Sequence, residues 1–227
     1  MKFGIILTPD NRSKAYLQKV VNQKISLDLI IFLNDNRQEI KNSPKSIIQS
    51  KKHGFDISEA VSETLKKNNL KFKEFPFVDI NNKELIRFIK NNEVDYLIFS
   101  GGGILKEEIL SLKTKFIHFH PGIVPDYKGS TCFYYSILDK DQCGVSAIIM
   151  DIGLDTGNII YQRVFEKPSH EFIDDVFDPH IRSETLMDVL KKNNFDKLEH
   201  KNQNSSDGDT YFIIHPVLKH IAILSCN

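Results

Sequence analysis

Two histidines stand two residues apart, His118 and His120, in the run KFIHFH (115–120). The run is short and apolar, as a buried strand is, and Pro121-Gly122 closes it. Side chains alternate along a strand, so both imidazoles face one side, with Ile117 and Phe119 on the other. Imidazole titrates near neutral pH, donates and accepts hydrogen bonds, and ligates metals. Two of them near the carboxyl end of a strand are placed where α/β sheets carry ligands and chemistry. Asp155 lies further on, in the turn GLDTG between two apolar runs. A carboxylate there can accept a proton, or can close the turn by local hydrogen bonding. Gly101, Gly102 and Gly103 follow another apolar run and precede a helical one. Glycines at such a position let a flat ligand approach backbone N–H and C=O groups.

Several elements must position these residues. KFGIIL (2–7), SLDLIIFLND (26–35), EVDYLIFS (93–100) and KFIHFH read as buried strands. FKEFPFVD (72–79) reads as a strand that Pro76 pushes toward a sheet edge. Helical spacing runs through 13–23, 57–67, 81–90, 104–112 and 130–139. The Lys- and Asn-rich stretch 35–54, broken by Pro44, reads as a surface loop with one helical turn. GVSAIIMD (144–151) and GNIIYQRVF (157–165) are two more strands, and Asp178-Pro179 opens a helix to about residue 193. Strands alternating with helices predict an α/β fold with a doubly wound, mostly parallel Rossmann-like sheet. The close pair of strands predicts an antiparallel edge strand. Residues 1–199 are expected to form one domain, with 200–227 a short C-terminal extension packed on it.

Composition excludes more than it identifies. Thirty basic residues balance thirty acidic ones, which disfavours a nucleic-acid partner. Only five of the basic residues are Arg, so extensive fork-type phosphate reading is not expected. Cys132, Cys143 and Cys226 have no metal-finger spacing and read as free thiols of a reducing compartment. No apolar run is long enough for a signal peptide or a membrane span, so a cytoplasmic protein with no membrane partner is expected. The first turn, TPDNRSK, lacks the G-x-G-x-x-G fingerprint, and no G-x-x-x-x-G-K loop is present, which disfavours nicotinamide and ATP enzymes.

HFHPGIVPDYKG (118–129), followed by GVSAIIMDIGLDTGNII (144–160), resembles the folate-dependent formyltransferase family. That family includes glycinamide ribonucleotide, methionyl-tRNA and nucleotide-sugar N-formyltransferases. Its pattern is N-x-H-P-[SG]-x-x-P-x-Y-x-G, then a strand, then an L-D-x-G turn. The resemblance implies that His120 takes the place of the catalytic histidine and Asp155 that of the catalytic aspartate. His118 stands where the family has a catalytic asparagine. By the same resemblance Gly102, Gly103, Ile104 and Leu105 lie where backbone holds the pterin ring, and the turn through Asp151, Gly153 and Asp155 matches a second pterin-lining loop.

The implied formyl donor is 10-formyltetrahydrofolate, with no metal. The implied acceptor is a small-molecule amine, with a nucleotide-linked amino sugar expected. The chain looks too short for the β-barrel domain of methionyl-tRNA formyltransferases, and TPDNRSK departs from the phosphate loop of the glycinamide ribonucleotide enzymes. A homodimer is compatible with this reading. Three alternatives stay open: a hydrolase releasing formate from formyltetrahydrofolate, a zinc site built from His118, His120 and Asp155, and an inactive binding module.

Overall fold

The computed structural model describes residues 1–35, 41–101, 103–169, 172–191, 200–204 and 206–226. The chain divides into two compact units, Met1–His118 and Phe119–Asn227.

The first unit holds β1 (Phe3–Leu7), β2 (Leu29–Leu33), β3 (Lys73–Phe75), β4 (Tyr96–Phe99) and the first four residues of β5 (Lys115–His120). All pair in parallel, with Ile5 between Ile30 of β2 and Ile98 of β4. Ile5, Ile6 and Leu7 are fully buried, as are Ile31 and Leu33. Strands buried on both faces read as unbroken apolar runs, which is why they were visible in the sequence. Helices α1 (Asn11–Asn22), α2 (Pro44–Lys52), α3 (Val61–Lys67), α4 (Lys83–Asn91) and α5 (Glu107–Leu110) connect them. The Asp10 side chain accepts from the Ser13 N–H and starts α1; Asn82 does the same for α4 through Glu84.

From β1 the chain builds outward through β2 to β3, then returns to β4 on the other side of β1. The order therefore reverses between β1 and β4, the place where open α/β sheets bind ligands at their carboxyl ends. There the Ser100 hydroxyl lies 2.7 Å from that of Ser13, and the Arg12 guanidinium donates to the Ser100 carbonyl at 2.8 Å.

The second unit holds the last two residues of β5, then β6 (Tyr127–Gly129), α6 (Cys132–Lys140), β7 (Gln142–Ile149) and β8 (Ile159–Glu166). A π-helical turn (Ile173–Phe177) leads into α7 (Asp178–Lys191), and β9 (Asp209–Tyr211) and α8 (Pro216–Leu224) follow. β7 and β8 are antiparallel, from Gln142↔Glu166 inward. β6 and β9 form a separate two-stranded parallel sheet. The main sheet has the strand order β3-β2-β1-β4-β5-β7-β8, so β3 and β8 are its edges. The mostly parallel α/β sheet with an antiparallel edge is therefore as expected, and the Pro76 segment does lie on an edge.

Some local expectations fail. Residues 44–52 form a nine-residue helix rather than a loop. Ser43 caps it and Pro44 fills its first turn. Its buried side is made of Ser46 and Ser50, so no apolar stripe announces it. The expected helix 104–112 shrinks to Glu107–Leu110. The Asn81 amide donates to the Ile104 carbonyl and its oxygen accepts from the Lys106 N–H, both at 2.8 Å, which holds 104–106 out of the helix. β6 and β9 were missed because each is three residues long, with no apolar run. No described helix is long and apolar enough to cross a membrane.

Arg182 and Asp178 form a buried ion pair one turn apart on α7, 2.7 Å between Nε and Oδ1. The same guanidinium donates to the Phe119 carbonyl at 2.7 Å and so fixes the backbone next to His120. Arg182→Leu leaves the Asp178 carboxylate buried beside an apolar chain. It should lower unfolding stability by about 3–5 kcal/mol in urea titration; a loss below about 1 kcal/mol would show that water already solvates the pair.

Candidate active site

The site grows from the end of β5. His120 is 1 % exposed. Its Nε2 lies 2.8 Å from the Tyr127 carbonyl oxygen. A carbonyl only accepts, so Nε2 carries the hydrogen and donates. Its Nδ1 lies 3.2 Å from Oδ2 of Asp155. That same Oδ2 accepts the Gly129 N–H at 3.0 Å. One strand end, the following loop and the Asp155 turn are thus tied together at a single imidazole.

Local backbone makes this possible. Asp155 has φ +55°, in the left-handed region that aspartate tolerates better than most residues. The Gln203 amide donates to the carbonyls of Asp155 (3.2 Å) and Gly157 (2.5 Å), which holds the turn from the C-terminal side. A Cβ on Gly122 would stand 2.7 Å from the Tyr127 oxygen and 2.8 Å from His120 Nε2. Gly129, at φ +104°, is pressed against the Tyr211 backbone, where a Cβ would overlap it. The glycines of the HPG and YKG segments are therefore steric requirements of the His120 arrangement.

Burial pulls the His120 pKa below its ordinary value of 6.5. The Asp155 carboxylate opposes this, the Arg182 cation adds to it, and the Tyr127 carbonyl and Asp178 oppose it more weakly. The neutral ring, with its hydrogen on Nε2, then turns the Nδ1 lone pair toward a carboxylate. Such a pair has a place for one proton between Nδ1 and Oδ2, and the lowered pKa lets that proton leave again readily.

His118 is half-buried, on the same strand, with its ring 6.0 Å from that of Phe99. Of the residues singled out from their spacing, His120 and Asp155 meet within the second unit; His118 ends the first unit, two residues earlier on the same strand.

The other residues fare differently. Gly102 lies outside the described residues. Gly103 has φ +101° and open space where a Cβ would be. Ile104 is 83 % exposed, whereas Leu105 is buried. Asp151 spends its carboxylate locally, accepting from the Gly153 N–H at 3.1 Å and the Thr156 hydroxyl at 2.8 Å. Gly153 fits because a Cβ would collide with Thr156. The turn presents the exposed side chains of Ile152 and Leu154 instead. Tyr134 is buried and donates to Asp174 at 3.0 Å, so it packs α6. Cys132 is buried and its thiol is pushed up to about 12 by burial, which leaves it unreactive. Asn81, Gln203 and Arg182 were not singled out from the sequence. Each acts through backbone carbonyls distant in the chain, and no spacing reveals that.

A family model described as formyl transferase matches residues 22–177, more than half of the chain. The chain belongs to the formyl transferase family. Among its curated relatives is a methionyl-tRNA formyltransferase of Sulfurimonas denitrificans, 31 % identical over 56 % of this chain and 42 % of the relative. The chain spans about half the length of the curated relatives it matches. Among solved structures, an N-formyltransferase from Helicobacter canadensis in complex with folinic acid and dTDP-3-aminofucose is similar with a TM-score of 0.59. That likeness has 17 % identity over 93 % of this chain and 71 % of the other. A phosphoribosylglycinamide formyltransferase from Streptococcus pneumoniae is similar with a TM-score of 0.56 and 17 % identity, over 84 % of this chain and 97 % of the other. At these identities the likeness is one of fold.

Gly122→Ala tests the packing around His120. The added methyl must displace Tyr127 or the imidazole, so unfolding stability should fall by about 1–3 kcal/mol. The His120 Nε2–H resonance in 15N spectra should lose its hydrogen-bonded shift. An unchanged resonance would show that Gly122 does not constrain the ring.

Proposed function

We propose that the protein transfers a formyl group from 10-formyltetrahydrofolate to the amine of a small acceptor, a nucleotide-linked amino sugar. The observation that carries this reading is the closed His120–Asp155 pair beside His118. A neutral amine attacks the formyl carbon, and charge builds on the carbonyl oxygen. An N–H of His118 stabilises that charge, the role the family gives to an asparagine amide. The proton leaving the amine settles between His120 Nδ1 and Asp155, and passes to the folate nitrogen as its bond to the formyl carbon breaks. The new bond joins the amine nitrogen to the formyl carbon, so atoms and charge balance without a metal.

In this reading Gly102, Gly103, Ile104 and Leu105 on the one hand, and the Asp151–Asp155 turn with its exposed Ile152 and Leu154 on the other, are pterin-lining residues by the family resemblance alone. Asp151 and Gly153 then act by shaping that turn. The Helicobacter canadensis protein, with a folate and a dTDP-amino sugar bound, supports both the donor and the acceptor class. The balanced formal charge favours a small acceptor over a polyanion. Sequence relatives named as methionyl-tRNA formyltransferases favour a second reading, with a charged tRNA as acceptor. The buried free cysteines fit a cytoplasmic setting for either.

Incubation with 10-formyltetrahydrofolate and a panel of nucleotide amino sugars, alongside methionyl-tRNA, separates these readings by the mass gained. Formylated amino sugar is the expected product; formylated methionyl-tRNA alone would replace it by the second reading. Free formate with neither acceptor changed would point to hydrolysis. Asp155→Asn keeps the shape and removes the charge. It should lower turnover by about 100- to 10,000-fold with little change in folate affinity. Near-normal turnover would reduce Asp155 to a turn residue. His118→Ala should lose about a hundredfold or more, and His118→Asn much less, because the amide restores a donor. Equal losses would assign His118 a proton-accepting role instead.

A further inference from the structure

Residues near the end of the second unit meet the His120 site at three places. The backbone of Lys201 exchanges two hydrogen bonds with Ile159, at 2.9 and 3.0 Å, which sets the register of the chain two residues ahead of Gln203. The Gln203 amide nitrogen carries two hydrogens and lies against two carbonyls, those of Asp155 and Gly157. Both neighbours only accept, so the amide has one usable orientation. Further on, β9 pairs with β6, and the Ser130 N–H donates to the Tyr211 carbonyl at 2.8 Å. The buried Lys128 ammonium donates to the Asp207 carbonyl at 2.5 Å. Gly208 lies so close to the Pro125 carbonyl that a Cβ there would overlap it.

These attachments fall on the two stretches of chain that hold His120. One is the Asp155 turn, whose carboxylate faces Nδ1. The other is 125–130, which supplies the Tyr127 carbonyl to Nε2 and the Gly129 N–H to Asp155. Lys201 and Gln203 hold the first stretch, and Asp207 to Tyr211 hold the second. The turn needs such a hold. Asp155 has φ +55°, a left-handed conformation that is unfavourable for a residue with a Cβ and persists only where its surroundings fix it. Its Oδ2 must also serve an imidazole and a backbone N–H at once, which leaves little latitude. Gln203 bonds to the carbonyl of Asp155 itself, so it fixes the peptide plane that leaves this residue.

We propose that Gln203 is a positioning residue of the site: it holds Asp155 in the backbone conformation that aims its carboxylate at His120 Nδ1, with Lys201 and residues 207–211 as its anchors. Gln203 acts through Asp155 and needs no contact with a reacting atom. As a statement about the His120–Asp155 pair the inference stands by itself. As a contribution to turnover it rests on the formyl-transfer reading.

The test replaces Gln203 by Met, which has a similar length and no N–H to give. The other charged groups at the His120 ring, Arg182 and Asp178 of α7, are untouched by this change. The Asp155 carboxylate raises the His120 pKa, so a carboxylate that swings away lets the midpoint fall. In 15N NMR of the full chain, without folate or acceptor, Gln203→Met should titrate His120 at lower pH than wild type does. The Gly129 amide, which donates to Asp155, should shift and exchange faster with solvent. Asn202→Ala, an exposed neighbour on the same segment, should leave both signals in place. If Gln203→Met does not unfold cooperatively in urea, Gln203→Asn takes its place, since the shorter amide cannot span both carbonyls. With 10-formyltetrahydrofolate and an accepted amine, kcat should fall about 10- to 100-fold, with the folate KM within about twofold. The proposal is overturned if the His120 midpoint and the Gly129 amide match wild type, because a residue that only packs would lower stability and move neither. A wild type that transfers no formyl group would remove the proposed function, and the NMR comparison would still decide the role of Gln203.

Discussion

The whole arrangement depends on one imidazole held from both sides. His120 donates from Nε2 to the Tyr127 carbonyl and faces Asp155 with Nδ1. Buried at the end of β5, it satisfies Nε2 on a carbonyl and keeps Nδ1 beside a carboxylate, where one proton can be held. The chain around it is shaped to hold both contacts. Gly122 leaves room beside Nε2, Gly129 turns its N–H to Asp155, and the Asp155 turn is held by Gln203. Arg182 adds a fixed backbone contact at Phe119 and a cation whose field keeps the ring from charging easily. The same fixation would serve a proton relay, because a relay needs a ring with one committed tautomer.

The parallel part of the sheet supports this by ordinary means. Strands buried on both faces supply a rigid frame, and their carboxyl ends carry the residues with chemistry. Loops at those ends are built from short polar links. Asn81 holds 104–106 open, while Thr8, Asp10, Ser13 and Ser100 fill the reversal point between β1 and β4. Polar links of this kind specify one loop geometry, since each unmet partner would be buried.

Much of the frame was legible because the signal was hydrophobic. β5 was read with its bounds intact, since an apolar run closed by Pro-Gly leaves little choice. The His120–Asp155 pairing was legible because the motif that carries His120 continues through the LDTG turn. What escaped was polar or short. α2 buries serines, so its inner face looked like its outer one. β6 and β9 are three residues each and gain their pairing only from each other across most of the second unit. Asp151, expected in a pterin-lining turn, closes that turn through Gly153 and Thr156. Which use a carboxylate is put to depends on neighbours that spacing does not name.

The central claim is that His120 is a neutral, Nε2-protonated imidazole paired with Asp155. The most direct measurement is a pH titration of its ring nitrogens by 15N NMR on metal-free protein. The account expects the Nε2–H tautomer at neutral pH and a midpoint below the ordinary 6.5. An Nδ1–H tautomer, or a ring titrating freely near 6.5, would contradict it.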